Sequence, residues 1–122
     1  MTGKTFVDSN VLIYAHDQDA EVKQQQAAER LRELWESGSG RMSTQVLQEF
    51  YVNVTQKIHR PLARSVAREV IRNYGLWVES ASTSSMVIRA SEISEAWRLA
   101  FWDGMILAAA EQAGAEELLS ED

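Results

Sequence analysis

The stretch Thr5-Phe6-Val7-Asp8-Ser9-Asn10-Val11-Leu12-Ile13-Tyr14-Ala15 carries three structural signals in one run. Thr5-Phe6-Val7 is β-branched and aromatic, and reads as a short buried strand. Asp8-Ser9-Asn10 is a polar turn, because such side chains hydrogen-bond the nearby backbone in place of a ladder. Val11 to about Ala15 then reads as a short apolar helix. A strand that runs through an acidic turn straight into a helix is the opening unit of an α/β domain.

The same alternation continues along the chain. Glu21 to Glu36 has Ala28, Leu31, Leu34 and Trp35 at helical spacing, and Ser37-Gly38-Ser39-Gly40 stops that helix. Arg41-Met42-Ser43 is a second strand, and Ser43 or Thr44 can cap the helix marked by Val46, Leu47, Phe50, Val54 and Ile58. Pro61 opens a further helix with Val66, Val70, Ile71 and Tyr74 inward, and Trp77-Val78 offers a third strand. Helices follow from Ser84-Ser85 through Ile88, Ile93 and Trp97, and from Asp103 to Ala113, where Gly114 ends the run. Leu118-Leu119 is a fourth short strand. The expected architecture is three layers, α/β/α, around a parallel sheet of about four strands. Ligand sites in such folds lie at the carboxyl ends of the strands.

Bulk properties narrow the class. The 122 residues suit one domain, 45% are apolar and 25% charged, and no apolar run is long enough to span a membrane. There is no cysteine, which excludes disulfides and thiolate-ligated zinc and fits a reducing, cytoplasmic setting. The net charge is −6, which argues against non-specific nucleic-acid binding. Its distribution qualifies that argument. Between Arg41 and Arg72 six basic side chains face only Glu49 and Glu69, whereas the last twelve residues hold five acids and no base. One basic and one acidic face would result, although a charge run is commonly just a solvated surface.

Three acids stand alone in apolar surroundings. Asp8 is the only charge between Lys4 and Asp17, Glu49 between Arg41 and Lys57, and Asp103 between Arg98 and Glu111. An unpaired carboxylate is costly to bury, and no base lies within a helical turn of Asp8 or Asp103 to neutralise it. A hard divalent cation would compensate all three. Each also has a plainer role: Asp8 as a helix cap, Asp103 as a first-turn acid favoured by the helix dipole, and Glu49 at a solvent edge. Asp122, just after Leu118-Leu119, is a fourth candidate.

Four segments resemble the motifs of PIN-domain nucleases, in their order. Phe6-Val7-Asp8-Ser9-Asn10-Val11-Leu12-Ile13-Tyr14-Ala15 resembles the first, and Ser43-Thr44-Gln45-Val46-Leu47-Gln48-Glu49-Phe50 the second. Phe101-Trp102-Asp103-Gly104-Met105-Ile106-Leu107-Ala108-Ala109-Ala110 resembles the third, and Leu118-Leu119-Ser120-Glu121-Asp122 the start of the fourth. The match is in the style of VapC toxins of toxin–antitoxin pairs, and spans nearly the whole chain.

The resemblance implies a carboxylate pocket of Asp8, Glu49, Asp103 and Asp122 holding Mg²⁺ or Mn²⁺, with Ser9, Asn10 and Ser120 as polar neighbours. It also implies endoribonuclease activity leaving a 5′-phosphate and a 3′-hydroxyl, a cognate antitoxin that blocks the pocket, and a homodimer. Family members usually continue past the fourth motif into a last strand, so residues 1–122 read as one PIN-like domain lacking that strand. Lys57, Arg60, Arg64 and Arg68, near His59, form a basic arc expected to guide RNA, the three arginines sharing a helix face if that helix starts early.

Three other readings compete. A PIN-like module could bind RNA or protein without cutting it. Haloacid-dehalogenase phosphatases also place an Asp after their first strand, but that chemistry wants a second acid two residues on, where this chain has Asn10. His16 and His59 could act as a metal-free acid–base pair. Trp97, Trp102 and Met105 read as packing residues.

Overall fold

A computed structural model describes residues 3–121. The chain opens with β1 (Thr5–Val7), α1 (Ser9–Ala15), α2 (Val22–Ser37), β2 (Gly40–Arg41) and α3 (Thr44–Val52). It continues with α4 (Arg64–Tyr74), α5 (Ser84–Trp97), α6 (Phe101–Gln112) and β3 (Glu117–Leu119). Short tight turns of helix lie at Gln18–Ala20 and Gly75–Trp77, and a wider π turn at Asn53–Lys57 extends α3.

The sheet is parallel, in the order β2-β1-β3. Phe6 stands opposite Arg41 on one side and Leu118 on the other. All of β1 is buried, because the helical crossovers cover both faces of the sheet in a three-layer α/β/α arrangement. Phe6, Val7, Leu12, Leu31, Val46, Phe50 and Val54 are its fully buried centre. Among the described residues no helix is long and apolar enough to cross a membrane.

The sheet has three strands among the described residues where about four were expected. The missing one is Trp77-Val78. Trp77 ends a tight helical turn and makes a single sheet-like bond, its carbonyl accepting from Met42 N at 3.0 Å. Its ring explains the burial that imitates a strand. A side chain at Gly40 would collide with ring atoms of Trp77 at 2.5 Å, so the indole lies directly over β2. Ring contacts with Trp35 and Tyr74, centroids 4.9 Å away, complete an aromatic lid.

Helix limits follow capping chemistry. Ser43 is spent on the cap of α3, accepting from Val46 N, and β2 therefore ends at Arg41, short of the expected Ser43. α4 starts at Arg64, not at Pro61. Leu62 N donates to the Val54 carbonyl at 2.8 Å and Ala63 is extended, so residues 61–63 close the loop from the π turn. Several expected interior residues point outward, among them Ala28, Trp35 at 38% exposed, Val66 at 48%, Ile88 at 61%, Trp97 at 74% and Trp102 at 62%. Met105 is buried as expected.

Candidate active site

Asp8 follows the last residue of β1, and its amide donates to the Leu119 carbonyl at 3.0 Å, extending the β1–β3 ladder by one step. That step brings the carboxyl ends of two neighbouring strands together. One carboxylate oxygen of Asp8 accepts from Ser9 N at 2.7 Å, capping α1. The other accepts from Ser120 Oγ at 3.1 Å. Asn10 secures this pairing. Its amide donates to Ser120 Oγ (3.3 Å) and to the Glu121 carbonyl (2.9 Å), and its oxygen accepts from Glu121 N (3.1 Å). Asp8, Ser9, Asn10 and Ser120, which the family resemblance placed as neighbours, form one hydrogen-bonded unit.

Glu49 sits half-buried in the second turn of α3, next to the fully buried Phe50. Gln45, one turn earlier, donates from Nε2 toward Glu49 Oε2 (3.4 Å) and toward the Trp102 carbonyl (3.3 Å). Since Trp102 precedes Asp103, this amide connects the Glu49 carboxylate to the first turn of α6. Asp103 is exposed there and is the acid of that turn, where helix-end N–H groups favour negative charge. Ala100 at the cap position contributes no side-chain hydrogen bond.

Asp8 thus stands just after β1, Glu49 in the second turn of α3 and Asp103 in the first turn of α6, with Asp8 bonded to Ser120 and Glu49 linked to α6 through Gln45. Asp122 lies outside the described residues. Among the described residues no three acidic or histidine side chains stand close enough together to hold an ion. In donor chemistry the acids fit a hard divalent cation: they offer carboxylate oxygens only, and each keeps lone pairs beyond the bonds named above. Gln45 Oε1 adds a buried acceptor with no hydrogen-bond partner among the described residues. Such an orphan costs on the order of 1–3 kcal/mol.

Gln45 was not a candidate from sequence. The available signal was its position four residues before Glu49 on a helix, the spacing at which side chains meet.

The basic arc is partly dismantled. Arg60 lies before α4 and pairs with Asp19 (3.3 Å) and Gln18 (3.1 Å), so it does not share a helix face with Arg64 and Arg68. Those two are exposed one turn apart on α4, and Lys57 is exposed at the end of the π turn. His16 has a packing role: its ring meets Phe50 edge-on at 5.3 Å and its Nδ1 donates to the Leu12 carbonyl at 2.9 Å. A polar cleft of about 390 Å³ lies at the opposite, amino ends of the strands, lined by Lys4, Arg30, Glu116 and Glu117. That is the wrong end of a parallel sheet for the acidic unit.

A parallel α/β domain with an acidic unit at the strand carboxyl ends is the class that fold and geometry define. Comparison with protein families matches the chain to the PIN domain over residues 5–122, and the chain belongs to that family. PIN domains are in general metal-dependent nucleases. Among curated proteins no relative matches.

Proposed function

We propose that this protein is a metal-dependent endoribonuclease, the VapC-like toxin of a toxin–antitoxin pair, acting in the cytoplasm. The observation that carries the reading is the Asp8–Ser120–Asn10 unit at the strand carboxyl ends, in a chain whose PIN match runs from residue 5 to residue 122. Asp8, Glu49 and Asp103, with Asp122, would hold Mg²⁺ or Mn²⁺. When bound, such a cation acidifies a water and neutralises charge growing on the scissile phosphate.

The protein's own residues do the rest. Ser120 and Asn10 fix the outer oxygen of Asp8, so that its free lone pairs have a set direction. The first turn of α6 adds partial positive charge beside Asp103. Lys57, Arg64 and Arg68 supply charge for the RNA backbone, which a chain of net charge −6 needs locally. The reading includes hydrolysis to a 5′-phosphate and a 3′-hydroxyl, a homodimer, and a cognate antitoxin that covers the acids.

The test is incubation with total tRNA in Mg²⁺ or Mn²⁺, beside EDTA and Asp8→Ala controls, with analysis of the product ends. Cutting that both controls abolish supports the reading. A 2′,3′-cyclic phosphate would sink the hydrolytic mechanism. One observation favours a second reading, a module that binds RNA without cutting it: no three acids are gathered among the described residues. RNA binding without cleavage in either metal would establish that alternative.

A further inference from the structure

We propose that Gln45 is a positioning residue of this site, its amide setting the Glu49 carboxylate against the first turn of α6. The proposal rests on the metal-site reading given above. Gln45 is only 9% exposed, and its neighbours dictate which way its amide faces. Glu49 Oε2 and the Trp102 carbonyl are both acceptors, so the NH₂ group must point at them. The amide oxygen is then forced away into buried surroundings, where it finds no partner among the described residues.

That arrangement is poor for stability. An apolar side chain of similar volume would fill the same space without an unsatisfied oxygen. Of the two acceptors it released, the carboxylate of the half-buried Glu49 could turn to water, and the Trp102 carbonyl belongs to the backbone of α6. Gln45 is therefore better explained by what it holds than by the packing it provides. It joins two of the three motif acids: Glu49 directly, and Asp103 through the carbonyl of the preceding residue. Residues that orient metal-binding carboxylates commonly change metal affinity by 10–100-fold when removed.

The experiment compares wild type, Gln45→Met, Glu49→Ala and the double variant. Mn²⁺ affinity is measured by titration calorimetry, Tm by thermal unfolding, and the Gln45 side-chain amide is followed by ¹H–¹⁵N NMR without metal. Gln45→Met is expected to weaken Mn²⁺ binding about 10-fold with Tm unchanged or raised. In the Glu49→Ala background the same change should cost less than about two-fold, since two residues acting through one bond are not additive. Equal losses in both backgrounds, or wild-type affinity with a lowered Tm, would overturn the proposal. Should wild type bind no Mn²⁺, the metal-site reading falls, and the NMR arm judges Gln45 separately. Gln45 amide resonances that shift in Glu49→Ala but not in Glu111→Gln keep the positioning contact, and resonances indifferent to both refute it.

Discussion

The two carboxylate oxygens of Asp8 do different work: one caps α1 through Ser9 N, the other takes the Ser120 hydroxyl. The plain reading of Asp8 as a helix cap and the functional one as a metal ligand are therefore compatible. Substitution separates them. Asn caps a helix about as well as Asp, whereas Ala loses a cap worth about 1 kcal/mol. Asp8→Asn should unfold close to the wild-type Tm, Asp8→Ala should be measurably less stable, and both should lose RNA cleavage. Thermal unfolding run beside a gel assay checks this, and an Asp8→Asn variant that cuts like wild type would leave Asp8 as a cap only. At this scale the sequence is most informative about charge. Asp8, Glu49 and Asp103 stand out because a lone carboxylate in an apolar run calls for compensation. Gln45 is silent by the same criterion, being neutral and unremarkable on a helix until the fold brings Trp102 to it.

Among the elements, α5 and α6 form the most extensive helix pair, and Gly104 sits where they meet. A side chain on Gly104 would come within 2.5 Å of the Ala90 carbonyl, a backbone atom that cannot swing aside. Replacing Gly by Ala inside a helix gains up to about 1 kcal/mol of propensity. Overpacking against backbone costs about 1–3 kcal/mol, so the clash wins. Gly104→Ala is expected to lower Tm and, by moving the first turn of α6, to weaken Mn²⁺ binding at the adjacent Asp103. A variant as stable as wild type would show that the helices are free to part.

Elements with strong local signals were legible: the β1–α1 junction, and α2 with its stop at Gly38, which takes the left-handed conformation (φ 70°) that glycine adopts without strain. Trp77-Val78 misled because a buried aromatic can lie across a strand instead of within one. α4 misled because Pro61 is also a good residue for leaving a turn.

For the whole molecule, the net charge of −6 and a nucleic-acid substrate are reconciled only locally. Arg41 and Arg60 are taken up by Glu79 and Asp19, which leaves Arg64 and Arg68 exposed on α4 as the helical remnant of the basic arc. Reversing both charges should raise KM for RNA and flatten the dependence of binding on salt, because fewer counterions are released. Unchanged values would make α4 an ordinary solvated surface. Sequence order alone conveyed the α/β/α architecture, since alternation of short buried strands and helices permits few topologies. It could not show that Trp97 and Trp102 face outward. Hydrophobicity reports what a side chain would gain from burial, not which faces the fold has room to cover.

The proposed nuclease chemistry requires Asp8, Glu49 and Asp103 to act together as a divalent-cation site. Calorimetric titration of the protein with Mn²⁺, beside Asp103→Asn, tests it without reference to any particular RNA. Saturable binding by wild type, lost in an Asp103→Asn variant that keeps its fold, is the predicted result. Binding that survives Asp103→Asn unchanged, or a wild type that takes up no Mn²⁺, would show that these acids do not form a cation site.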